Sequence, residues 1–145
     1  MGRLIQSACL ALGLVFASGC SFHRAWTRAA ATPAPVADIT GRWEGTWVSD
    51  VNQHHGRLRC VLSRDAAGAY QARFHATFLR VLSASYSVPL LVTSSDGGFK
   101  LQGEQDLGWL AGGVFNYDGT ANPTNFFCTY RSQSDHGTFQ MTRPK

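Results

Sequence analysis

Apolar and polar residues alternate along most of the chain from residue 39 onward. In residues 39–49, Ile39, Gly41, Trp43, Gly45 and Trp47 fall on one face, and Thr40, Arg42, Glu44 and Thr46 on the other. Successive side chains of a strand point to opposite faces, so this period predicts a half-buried β-strand with a tryptophan-rich inner side. The glycines between the indoles predict room for the rings and a backbone able to curve. Residues 57–63 align Leu58, Cys60 and Leu62, and residues 69–79 align Tyr70, Ala72, Phe74, Ala76 and Phe78. Residues 85–93 align Tyr86, Val88, Leu90 and Val92, with Pro89 on the opposite face. Proline cannot donate to a ladder, so Pro89 predicts a bulge or an edge. Asp96-Gly97-Gly98 then turns the chain into a strand over residues 99–104. Three more strands are predicted at residues 114–117, 125–132 and 138–143, with Phe126, Cys128, Tyr130, Phe139 and Met141 inward.

Residues 106–113 break the period. Leu107, Trp109 and Leu110 sit among Gly108, Gly112 and Gly113, in a stretch too short for a helix. This reads as a loop or single turn that packs its apolar residues over an open end, with the glycines as hinges.

Eight strands joined by short turns predict an all-β domain, a single up-and-down antiparallel barrel; a β-sandwich is the alternative. An eight-stranded barrel is either filled by side chains or holds one small ligand. Its aromatic wall would comprise Trp43, Trp47, Tyr70, Phe74, Tyr86, Phe126, Tyr130 and Phe139. Trp43, Trp47, Tyr70, Phe74, Trp109 and Tyr130 are the candidate ligand-binding residues; a solid core is the other reading of the same set.

The domain occupies residues 39–145. Residues 1–19 carry Arg3, an apolar run too short for a transmembrane span, and then small residues, the layout of a secretory signal peptide. Residues 20–38, rich in Ala, Pro and Thr, read as a tether that extends on the order of 50 Å at ~3.1 Å per residue. The formal net charge is +4, and +3 without residues 1–19. The Lys and Arg residues are scattered, and Arg57, Arg59 and Arg73 read as a solvated outer face. This mild excess is compatible with an anionic membrane surface or an acidic partner, requires neither, and offers no basic run for a nucleic acid.

Ala17-Ser18-Gly19-Cys20 resembles the lipobox of bacterial lipoproteins. The resemblance implies cleavage before Cys20 and acylation of its thiol and amine. It implies a bilayer partner and a cell-envelope location. Several acyl chains on one residue anchor stably. Ser21, rather than Asp, implies the outer membrane where there are two.

Gly41-Arg42-Trp43 resembles the first-strand motif of lipocalins, and Ile39-Thr40-Gly41-Arg42-Trp43 that of avidins. The resemblance implies a calycin-like barrel, ligand binding, and a late arginine covering the tryptophan. Arg131 and Arg143 are the two candidates, and the second lipocalin motif is missing. Ser83-Ala84-Ser85 resembles, more distantly, the inhibitory loop of the lipid-anchored bacterial lysozyme inhibitors, without the glycine that follows it there.

Cys60 and Cys128 would lie in an oxidising compartment, where a disulfide is the default. Both fall on inner faces, yet the second and seventh strands of a regular barrel are not neighbours. A bridge needs Cα atoms within about 7 Å. A Cys60–Cys128 disulfide and two buried free thiols both stay open.

His54, His55, His75 and His136 lack metal-ligand spacing. No nucleophile elbow or phosphate loop is present. No metal, cofactor or catalytic residue is therefore expected. The expected function is a non-catalytic binding module for a small apolar or lipid-like ligand. The alternative is a protein-interaction or inhibitor module acting on an envelope protein through its loops.

Overall fold

A computed structural model describes residues 20–145; the signal peptide expected over residues 1–19 lies outside them. The strands are β1 (Gly41–Ser49), β2 (His55–Arg64), β3 (Tyr70–Phe78), β4 (Leu82–Ser95), β5 (Gly98–Asp106), β6 (Val114–Ala121), β7 (Asn125–Arg131) and β8 (His136–Thr142). Each strand pairs with the next, and β8 returns to pair antiparallel with β1. The barrel therefore closes, as the strand count predicts, and the sandwich alternative falls.

The inner faces follow the predicted phase. Trp43, Leu58, Cys60, Leu62, Phe74 and Val88 are all buried. Closure needs the β8 backbone to come very close to β1. A Cβ atom at Gly45 would lie 1.9 Å from the Gln140 carbonyl oxygen and 2.8 Å from Met141 Cα. Gly45 is thus required by the neighbouring strand rather than by the indoles beside it.

Pro89 marks a local edge. β4 pairs with β3 from Leu82 to Leu90, but its ladder with β5 begins only at Leu90–Gly103. Residues 82–89 therefore have a partner on one side alone, where a missing N–H donor is tolerated.

One end is shut by an arginine. Arg143 stacks on Trp43, its guanidinium carbon 3.9 Å from the indole centroid. It donates to the carbonyls of Pro123, Thr40, Arg42 and Asp38 at 2.8–3.2 Å. Burial lowers the Arg143 pKa, and Asp38 opposes that effect. The Trp43 Nε1–H donates to the Ile39 carbonyl at 2.8 Å, and Tyr70 donates to Asp38 Oδ1 at 2.9 Å. Asp38 is desolvated, but hydrogen bonds from Ile39, Tyr70 and Thr40 and the charge of Arg64 outweigh this and hold its carboxyl below the usual range.

The segment expected to be an extended tether is partly helical. Residues 20–30 form a helix, α1, that lies along the outer face of β2 and β3. Phe22 is buried and stacks on His75, with centroids 5.0 Å apart. Trp26 lies under Arg42 and Arg59, at 5.2 and 5.4 Å from its centroid. Arg59 is thus covered rather than solvated, while Arg57 pairs with Glu44 at 3.5 Å. Phe22, Ala25, Trp26 and Ala29 form one helical stripe, the signal that the Ala- and Pro-rich composition obscures.

Cys60 and Cys128 are both free and buried, so the disulfide is not formed. They belong to β2 and β7, which do not adjoin. Burial pushes the Cys60 thiol up, with Cys128 adding to the effect, and burial pushes Cys128 up to about 12. Neither should react with iodoacetamide at neutral pH in the folded protein, since the thiolate is the nucleophile. Both should react in denaturant, and mass spectrometry before and after unfolding checks this.

Candidate functional site

In an up-and-down barrel alternate loops share an end. Residues 65–69, 96–97 and 122–124 lie with Arg143 at the shut end. The loops at residues 50–54, 79–81, 107–113 and 132–135 surround the other. There a cavity of about 410 Å³ opens among the inward side chains. Its walls include Trp47 of β1, Phe78 of β3, Tyr86 of β4, Phe115 and Tyr117 of β6, Tyr130 of β7 and Phe139 of β8. Leu107 and Ala111 border it from the β5–β6 connection, and Asp135 borders it from the β7–β8 turn.

Each group is held from its own strand. Trp47 pairs in register with Gly56 of β2, and its Nε1–H passes over that glycine to donate to the Thr77 carbonyl of β3 at 2.9 Å. A Cβ at Gly56 would lie 2.7 Å from that Nε1, so only glycine leaves the path open. Phe115, Tyr117, Phe139 and Tyr130 form a closed circuit of rings, with successive centroids 6.4, 6.0, 5.1 and 6.1 Å apart. Phe74 lies beneath, 5.4 Å from Tyr86 and from Phe139.

The polar groups converge on one carboxylate. Ser49 donates to Asp135 Oδ1, and Tyr130 donates to Asp135 Oδ2 at 3.2 Å. Burial pushes the Tyr130 phenol up, and Asp135 adds to this by charge and hydrogen bonding. Burial likewise raises Tyr86, with Tyr117 contributing, and raises Tyr117 itself. All three phenols stay protonated near neutral pH.

The six candidate ligand-binding residues are separated by the fold. Trp47 and Tyr130 line the cavity, and Phe74 lies under it. Trp43 and Tyr70 belong to the shut end, at Arg143 and Asp38. Trp109 is 86% and Leu110 83% exposed, so neither packs over the mouth as expected. Leu107 and Ala111 border the cavity, whereas Trp109 and Leu110 of the 3-10 turn Trp109–Ala111 project into solvent. Ser83, Ala84 and Ser85 lie within β4, and Ser85 is hydrogen-bonded to His75 at 2.7 Å, so they form no exposed loop.

Phe115 and Tyr117 were readable as the inner face of their short strand. Asp135 has no sequence signal, because only the β7–β8 turn brings it to the aromatic wall.

Comparison with known proteins returns no match. No family model, no curated protein and no solved structure resembles this chain to a meaningful degree. Among the described residues no three His, Cys, Asp or Glu gather as metal ligands, and no helix is long and apolar enough to cross a membrane. What the arrangement offers chemically is a small, largely apolar chamber with a few fixed polar groups, the usual make-up of a ligand site.

Proposed function

We propose that this chain is a membrane-anchored, non-catalytic envelope lipoprotein whose barrel holds a small apolar or lipid-like ligand at its mouth. The aromatic chamber above an otherwise filled core carries this reading. A barrel serving only as a scaffold needs no such space, since interiors are close-packed.

Three further features support it. The N-terminal end of α1 lies nearer the mouth, because Phe22 meets His75 near the end of β3, whereas Ala29 and Pro33 border Ser63 and Gln71 at the other end. Acyl chains on Cys20 would hold the barrel against the bilayer instead of tens of ångströms away. Cys20 also borders a groove with Arg24, Arg28 and Arg73, which suits anionic headgroups. Leu79, Val81, Leu82, Trp109 and Leu110 stand exposed around the mouth, apolar tips suited to the same surface.

The projecting Trp109–Leu110 tip also favours a second reading, in which it docks on an envelope protein.

Two measurements test the proposal. Metabolic labelling with a palmitate analogue should mark the wild type and not Cys20→Ala; equal labelling of both would remove the anchor. The second uses residues 20–145 carrying Cys20→Ser, which contain every barrel strand. Titration with single-chain amphiphiles should give a saturable change in tryptophan emission that Trp47→Phe diminishes and Trp109→Phe preserves. No saturable change with any of them would leave the protein-interaction role.

A further inference from the structure

We infer that the chamber is built for a cationic head, an amine or quaternary ammonium carried on an apolar body. The inference rests on the ligand-holding reading and narrows it to a chemical class. Four rings gather in one circuit on the cavity wall, inclined to their neighbours by 25°, 42°, 34° and 37°. Aromatic rings attract cations through their quadrupoles, and such clusters bind quaternary ammonium groups. Beside these rings stands Asp135, the one charged side chain among the described residues that line the cavity, with no Lys, Arg or His among them.

The carboxylate is fixed but not saturated. An ionised carboxylate has roughly four acceptor positions. Ser49 and Tyr130 each take one in this structure. A neutral tail pressed against Asp135 would strip its remaining water without replacing it, which is unfavourable. An anionic head would add like-charge repulsion in a poorly screened site. An ammonium group satisfies both the carboxylate and the rings. The expected order of affinity is therefore ammonium, then alcohol, then carboxylate.

The test compares octyltrimethylammonium, octanol and octanoate on residues 20–145 with Cys20→Ser, each below its micellar concentration. Tryptophan emission is the readout, with Trp47→Phe as its control. The ammonium probe should bind at least about tenfold more tightly than octanoate, a difference of about 1.4 kcal/mol. Asp135→Asn keeps an acceptor for Ser49 and should bring the ammonium probe down to the affinity of octanol. Phe115→Leu removes one ring without touching the Asp135 bonds and should weaken the ammonium probe more than the alcohol. Thermal melts of both variants identify any loss of folding, and either variant alone suffices. Equal binding of all three heads, or tighter binding of octanoate, would overturn the cationic assignment and leave the ligand reading intact. Saturable binding of none of the three would overturn both.

Discussion

Replacing Trp43 by alanine is expected to lower the free energy of unfolding by about 3–5 kcal/mol, as truncation of large buried aromatics does. Trp43 is 0% exposed and sits at the centre of the shut end. Its ring contacts Phe126, with centroids 5.7 Å apart, and carries the Arg143 guanidinium on one face. Truncation opens a cavity, leaves the Ile39 carbonyl without its donor, and removes the surface on which Arg143 lies. Arg143 in turn holds the start of the barrel, the β6–β7 turn and the chain end through its carbonyl contacts. Trp43→Phe should recover part of the loss, because it restores ring volume but not the Nε1–H donor. Equilibrium denaturation in urea measures both. A loss below about 1 kcal/mol for the alanine variant would mean that the ring is dispensable, against its burial and its partners.

Of the two late arginines that the sequence offers as a cover for Trp43, Arg143 lies on its ring, while Arg131 is exposed on β7. The strand alternation carried most of the fold for a simple reason. Each strand has one face in the core and one in water, so a period of two survives in the residues themselves. Cys60, Phe74, Val88, Cys128 and Phe139 all lie where their phase puts them. Properties that depend on two distant segments were not legible. Asp135 gains its meaning from Ser49, 86 residues away. Whether Cys60 could reach Cys128 depended on which strands adjoin, not on which face each occupied. The exposure of Trp109 has a different reason: its apolar character suggests burial, but a three-residue turn has no buried side here, and only Leu107 before it and Ala111 at its end border the cavity. In α1 the helical stripe was present, and the prolines that follow it dominated the reading.

Gly45→Ala should open the barrel along its last seam and abolish the proposed ligand binding with it. The position lies mid-strand, against the backbone of the neighbouring strand. β1 and β8 pair from Glu44–Thr142 to Ser49–Gly137, and Gly45 faces Met141 in that ladder. An added methyl group would have to displace backbone atoms of Gln140 and Met141 rather than the tip of a flexible side chain. Backbone displacement is the expensive form of overpacking, and about 1–3 kcal/mol or more is expected. The shift travels along β8 to Phe139, which faces Trp47 across the same seam and forms one corner of the ring circuit. A substitution at the opposite end of the stability scale provides the control: Trp109→Ser, at an exposed tip, should change the melting temperature little. Gly45→Ala should therefore lower the midpoint of thermal unfolding and lose the saturable tryptophan response to octyltrimethylammonium at temperatures where the variant is still folded. Amide hydrogen exchange should localise the damage to the β1–β8 ladder, with β3–β4 still protected. Wild-type stability with unchanged exchange in that ladder would show that the two strands can separate enough to admit a side chain. In that case the tight closure between Gln140 and Gly45 would not be what holds the chamber in shape.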